Sequence, residues 1–265
     1  MARFDIIYQD DEILVVDKPA GLLTVPHPEQ QLPNLLELLE KALNLPAKRK
    51  KLWVVHRLDR DTSGVLVFAK NSYSCEALCK DFASHKSDRK YLALVKGTPK
   101  PLSGTIKSYL ATGDNLTRYS TRDKTKGELA ITHYETLTTR PGVSLVELTL
   151  ETGQRNQIRV HLAELGNPII GDRRYGRQAA SADGWPRGRL ALHAASLGIT
   201  HPDTGEDLVF EAPIPTEFRG FLRGRSVLKP ELPPSVRRAR EDRRKKPRFG
   251  TDRASRRGPA PRVNH

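Results

Sequence analysis

The chain has 265 residues, 37% of them apolar, enough for one large domain or two modest ones around a packed core. Its formal net charge is +14, of which residues 226–265 supply +9 from 13 Lys and Arg against 4 Asp and Glu, so the body is mildly basic and the tail strongly so. Phosphate backbones are the first partner such charge attracts; a membrane is set aside, because the tail has no apolar face, the N-terminus no apolar leader core, and no run reaches spanning length.

Phe4 to Tyr8 and Ile13 to Val16 read as two strands joined by the acidic turn 9–12. Lys18-Pro19-Ala20-Gly21 is a turn, and the spacing of Leu35, Leu36, Leu38, Leu39, Ala42 and Leu43 predicts a helix opened by Pro33-Asn34. A basic link, Lys48 to Lys51, follows, either a solvated loop or a phosphate contact. Leu52 to Val55 and Val65 to Ala69 look like buried strands on either side of His56-Arg57-Leu58-Asp59-Arg60-Asp61-Thr62-Ser63-Gly64. Ser72 to Ser87 has a helical face of Cys75, Leu78, Cys79, Phe82 and Ala83. Two thiols at that spacing are core-facing, with no disulfide framework or zinc pattern around them. Strands are predicted at 90–95, 105–110, 130–137 and 143–150, with a polar excursion at 113–127 whose Arg118, Arg122, Lys124 and Lys126 suit an RNA-facing loop. Gln154 to Leu165 is read as a helix, which sets Arg155 and Arg159 about 6 Å apart on one side. Residues 190–199 and 208–210 are later strand candidates. From Leu228 on, prolines and charge replace apolar residues, and the segment reads as disordered.

The 56–64 stretch is where the chain spends charge against expectation. Two carboxylates between core strands must be paired, hydrogen-bonded or chemically employed. The usual nucleotide, metal and acyl-transfer signatures are missing: the sequence has no GxGxxG, P-loop, HExxH, EF-hand loop or GxSxG. A strand followed by Asp59-Arg60-Asp61 loosely resembles the opening of the haloacid-dehalogenase phosphatases, which pair an Asp nucleophile with Mg²⁺. That family also needs a later acidic pair, which the sequence does not supply, and Ser63 stands where Thr is expected.

Residues 56–64 resemble the signature of the RluA-type RNA pseudouridine synthases far more closely. Six further stretches match that family in the same order: 17–22, Lys90-Tyr91, 130–134, 152–161, 171–176, and Leu192-His193-Ala194 with His201-Pro202. The resemblance spans about residues 5 to 215. It implies an α+β catalytic fold, a large mixed and mostly antiparallel sheet with flanking helices and a central cleft, over residues 1–225, with a basic tail at 226–265. It implies an enzyme that isomerises uridine in ribosomal or transfer RNA to pseudouridine, without cofactor or metal, as a cytoplasmic monomer. Many relatives carry an S4-type domain ahead of the catalytic part; a first strand near Phe4 leads us to expect none here.

Site residues follow from the same resemblance. Asp59 matches the catalytic aspartate, which either attacks the anomeric carbon or removes the proton from its neighbour. Arg159 matches its partner arginine, and Tyr91 the tyrosine that packs on the target base. His56, Arg57 and Arg155 are RNA-binding candidates, Arg57 as the group filling the space a flipped base vacates. Leu192 is a candidate wall of the base pocket. Asp61, Thr62 and Ser63 are expected to shape the loop. The rival reading is a noncatalytic RNA-binding protein on the same fold.

Overall fold

Strands that are apolar almost without interruption must be covered on both faces, and here they form the centre of one large sheet. The computed structural model describes residues 4–28, 31–44, 52–176 and 185–221, and the backbone of 235–238. In order, the elements are β1 (Asp5–Gln9), β2 (Ile13–Lys18), α1 (Leu35–Ala42), β3 (Trp53–Val54), β4 (Ser63–Ala69), α2 (Ser72–Ala83), β5 (Asp88–Lys96) and β6 (Ser103–Thr112). Then come β7 (Arg118–Thr121), β8 (Glu128–Arg140), β9 (Val143–Leu150), α3 (Gln157–Glu164), β10 (Leu192–Thr200), β11 (Asp207–Glu211), α4 (Thr216–Phe221) and β12 (Ser235–Arg238). The sheet runs β1-β2-β4-β10-β5-β9-β8-β6-β7, with β3 added to β4, β11 to β10, and β12 to β11. All seven residues of β4 are buried, whereas the long β8 alternates and leaves one face wet.

Among the described strands every pairing is antiparallel except one: β4 and β10 run parallel, Ser63 opposite His193 and Gly64 opposite Ala194. At this junction Gly64 has φ +117°, and a Cβ there would lie 2.1 Å from the Ala194 carbonyl oxygen. Only glycine fits both the backbone and the space. The mixed, mostly antiparallel sheet expected from the resemblance is the observed architecture.

Two apolar clusters lie along the sheet. One gathers β2, β4, α1, α2 and Leu58; the other gathers β5, β9, α3 and the start of β10. Tyr91 on β5 packs against both. The two main helices of the first cluster are capped as their sequences suggest, by Asn34 accepting from Glu37 N–H at 3.0 Å and Asn71 from Ser74 N–H at 2.8 Å.

Several expectations need correction. The flank before the motif is a two-residue strand paired only with Phe68 and Ala69 of β4, and its Trp53 is 43% exposed. The helix expected over 72–87 stops at Ala83, where His85 turns to φ +57°. The helix expected from Gln154 begins at Gln157, since Asn156 adopts φ +58°; Arg155 therefore stands outside it and shares no helix face with Arg159. The polar excursion contains a strand, β7, paired to β6. Within it Arg118 is buried and bonded to Glu128, and Lys126 pairs with Asp123, so only Arg122 and Lys124 remain as exposed cations without a carboxylate partner. The basic link at 48–51 and nearly all of the 226–265 tail lie outside the described residues; within the tail, Ser235–Arg238 pair with β11.

Candidate active site

Asp59 sits on the loop between β3 and β4, and that loop is fastened from two directions. From the N-terminal side Thr24 Oγ1 donates to Leu58 O at 2.8 Å, Gly21 N–H to Arg60 O at 2.9 Å, and Lys18 Nζ to Arg60 O at 3.0 Å. Lys18 is fully buried and also donates to Pro19 O and Leu22 O, so a single ammonium ties the 18–22 turn to the motif loop. Burial pushes this ammonium down to about 7, while Asp61 and Asp59 pull it back. From the C-terminal side Arg189 donates to Asp61 O at 3.3 Å and to Ser63 Oγ at 2.7 Å, and Ser63 Oγ lies 3.0 Å from His193 Nδ1. Thr62 and Ser63 are buried, and Thr62 N–H closes the turn onto Asp59 O. These residues shape the loop, as their short polar side chains suggest.

The Asp59 carboxylate keeps 31% exposure, and Arg159 Nη1 stands 3.7 Å from its Oδ2. Arg159 is held by every other edge. Its Nε and Nη2 donate to the two oxygens of Asp172, both at 2.8 Å, its Nη1 also reaches Asn156 Oδ1 at 3.2 Å, and its plane lies over Tyr175 at 5.2 Å. Asp172 is 1% exposed and accepts the Arg174 and Tyr175 N–H groups. A buried bidentate pair of this kind fixes a guanidinium plane, and here the remaining edge faces Asp59. Burial raises the Asp59 carboxyl above the usual carboxylate range; Arg159, Lys18 and Arg155 pull it back without cancelling the effect.

Tyr91 stands on β5, one strand beyond β10, close enough for the Asp59 charge to act on its phenol. Burial pushes that phenol up to about 12, Arg89 opposing and Asp59 reinforcing. A neutral ring at the seam of two cores suits packing on a base; at neutral pH it is a weak proton acceptor.

The other sequence candidates divide. Arg57 is exposed beside Asp59 and is bound to none of the described residues. Arg155 is exposed, reaches the Asp59 carboxylate electrostatically, and donates to Leu116 O at 2.8 Å, tethering the β6–β7 turn over the site. His56 is turned inward: its Nε2 accepts from Val67 N–H at 3.3 Å and its ring stacks on Phe82 with centroids 4.5 Å apart. Burial holds it down to about 3, so it carries no charge for a phosphate at neutral pH. Leu192 is 3% exposed in the second core cluster.

Three residues of this site had no role assigned from sequence. Asp172 stands within the 171–176 match but only the fold brings it to Arg159. Lys18 lies in the 17–22 match, where a lysine ordinarily signals surface. Arg189 carries no sequence signal; it becomes visible only when β10 is laid beside β4.

Comparison with known proteins shows the family. A family model described as RNA pseudouridylate synthase matches residues 12–164. An uncharacterized RNA pseudouridine synthase of Bacillus subtilis, YhcT, is 36% identical over 223 residues, covering 83% of this chain and 72% of that protein. Ribosomal large subunit pseudouridine synthase D of Zymomonas mobilis is 35% identical over 224 residues, covering 81% and 70%. Among solved structures, human RNA pseudouridylate synthase domain containing 4 superposes with a TM-score of 0.65 at 27% identity, covering 81% of this chain and 90% of that one.

Proposed function

The chain belongs to the RNA pseudouridylate synthase family and is an enzyme that isomerises uridine in RNA; from that premise we propose that Asp59 is its reacting carboxylate. The observation that carries the reading is the fixed Arg159 guanidinium facing a carboxylate whose main-chain loop is tied down on both sides.

The reaction breaks the bond from ribose C1′ to uracil N1 and remakes it from C1′ to C5, after which the C5 proton must leave. Asp59 serves it in one of two ways, by attack on C1′ or by removal of the C2′ proton. Both require the ionised carboxylate. Arg159 favours that form and stabilises charge passing to and from it, at no cost in reorganisation because Asp172 has already oriented it. Tyr91 holds the detached base by stacking while it turns from N1 to C5. The uridine reaches Asp59 by leaving its stack, at a cost of a few kcal/mol, and Arg57 fills the vacated space. Arg155, with the β6–β7 turn it tethers, lies against the flanking RNA. Leu192 serves this site from behind, as core under the base pocket.

Several relatives carry names assigning them to the large ribosomal subunit, so large-subunit ribosomal RNA is the first RNA to test, and transfer RNA the second. Asp59, Tyr91 and Arg159 come from one chain, which supports action as a monomer, in the cytoplasm where these RNAs are made and matured. The basic tail adds nonspecific RNA affinity to the domain at 1–225. Asp59→Ala is the deciding variant: it should make no detectable pseudouridine in an RNA that the wild-type protein converts, with its melting temperature held or raised. Persisting conversion removes Asp59 from the chemistry.

A further inference from the structure

Arg89 is a buried cation without an anion. Its side chain is 7% exposed, and no carboxylate lies within 4.0 Å of it among the described residues. Its Nη2 donates to Glu151 O at 3.1 Å, its Nε has no partner, and its guanidinium lies over the Phe82 ring at 5.6 Å. The acid whose carbonyl it grips is spent elsewhere: the Glu151 carboxylate meets His133 Nε2 at 2.6 Å. Burying a guanidinium without a counter-charge costs several kcal/mol, and folded proteins normally offset that by pairing. Desolvation indeed works against the charge here.

Beside this guanidinium lies a glycine. Gly153 is exposed, and a Cβ on it would lie 2.5 Å from Arg89 Nη1. Any side chain at that position would press on the guanidinium. Arg89 and Tyr91 are two residues apart on β5, so they share a face of the sheet about 7 Å apart. Phe82, which carries Arg89, also carries the His56 ring, three residues before Asp59.

We infer that Arg89 is the receptor for a backbone phosphate of the substrate RNA flanking the target uridine, reached beside Gly153. The inference rests on Asp59 marking the reaction centre. RNA would then supply the counter-charge that the fold withholds, so full neutralisation occurs only in the complex.

The test uses the full chain and a short RNA spanning a uridine that the wild-type protein converts in total bacterial RNA. Dissociation constants are measured across a salt series for wild type, Arg89→Met, Arg89→Lys and Gly153→Ala, with melting temperatures as the folding control. Loss of one charge-assisted contact should weaken binding by Arg89→Met about tenfold. It should also lower the slope of log K against log salt by about 0.7 to 1, while Arg89→Lys keeps the slope. Gly153→Ala keeps the charge but pushes the guanidinium aside, so affinity should fall there too. A scan of single neutral methylphosphonate linkages should find one linkage beside the target that matters in wild type and has no effect in Arg89→Met. Unchanged affinity and salt slope in folded Arg89→Met, or methylphosphonate effects identical in both proteins, would overturn the inference and leave Arg89 as a clamp on residue 151. Activity persisting in Asp59→Ala would instead sink the reading of the reaction centre, with the salt-slope comparison still deciding the anion site.

Discussion

Asp59 is poised by two opposing influences, and their balance can be measured. Burial raises its carboxyl, and Arg159, 3.7 Å away, is the strongest of the cations that lower it. In the proposed mechanism the active form is the anion, so activity should rise with pH through the Asp59 pKa. Arg159→Met removes the opposing cation and leaves burial alone. The acid limb of kcat/KM should therefore move to higher pH, with kcat also reduced on the plateau. An acid limb that stays put would show that Arg159 does not act on the Asp59 charge. Asp172→Asn tests orientation separately: Arg159 keeps its charge but loses its bidentate anchor. Misplacing a catalytic partner by about 1 Å costs on the order of a hundredfold in rate, so kcat should fall by roughly that factor while the protein stays folded. A rate within twofold of wild type would mean that Asn156 and Tyr175 suffice to hold the guanidinium.

At the scale of elements, the β4–β10 junction positions the site. Among the described strands it is the one parallel pairing, and it starts directly after the loop that ends at Thr62. Gly64→Ala forces a Cβ into the Ala194 carbonyl at 2.1 Å, and clashes of this kind with backbone on both sides belong to the most damaging class of substitution, on the order of 4 kcal/mol. The expected result is a large drop in melting temperature together with lost activity; a soluble, active Gly64→Ala protein would mean that the two strands separate without consequence. The β1–β2 hairpin carries a different strain. Burial, with Asp5 opposite on β1, raises Asp17 to about 6 from an ordinary 3.8. A folded-state carboxyl raised in this way takes up a proton on folding. The penalty is therefore absent below about pH 4 and fully present above about pH 6. Asp17→Asn should stabilise the protein at pH 7.5 by on the order of 2 kcal/mol, read as a higher melting temperature, and should change nothing at pH 4. Equal effects at both pH values would point to packing instead.

The whole molecule divides its labour between two apolar clusters, with the site on the seam. The Asp59 loop is anchored in the first cluster through Leu58, Arg159 is carried by α3 of the second, and Tyr91 packs on both. Neither half of the chain holds the constellation alone. The tail belongs to this scale because its charge acts at a distance. Removing residues 229–265 takes away most of a +9 segment and should weaken RNA binding and flatten its salt dependence. It also removes β12 and bares the β11 edge, so a modest loss of thermal stability should accompany it. Unchanged affinity and salt slope would confine RNA recognition to the folded domain.

By itself the sequence determined the family, the mostly antiparallel sheet and the core runs at 13–16 and 65–69, and it put forward Asp59, Tyr91 and Arg159 as the proposed site. Those are legible because the chemistry demands particular side chains in local motifs, and because fully covered strands need unbroken apolar runs. The tertiary structure decided which charges are spent on what. Arg155 and Arg159 seemed alike until the left-handed Asn156 put one outside the helix, and His56 seemed an RNA contact until its ring was found against Phe82. Lys18, Asp172, Arg189 and Arg89 acquired meaning only from partners 13 to 128 residues away along the chain. The physical reason is that a side chain's charge, burial and hydrogen bonds depend on what the fold brings next to it, and the only parallel pairing among the described strands brings residues 63 and 193 side by side.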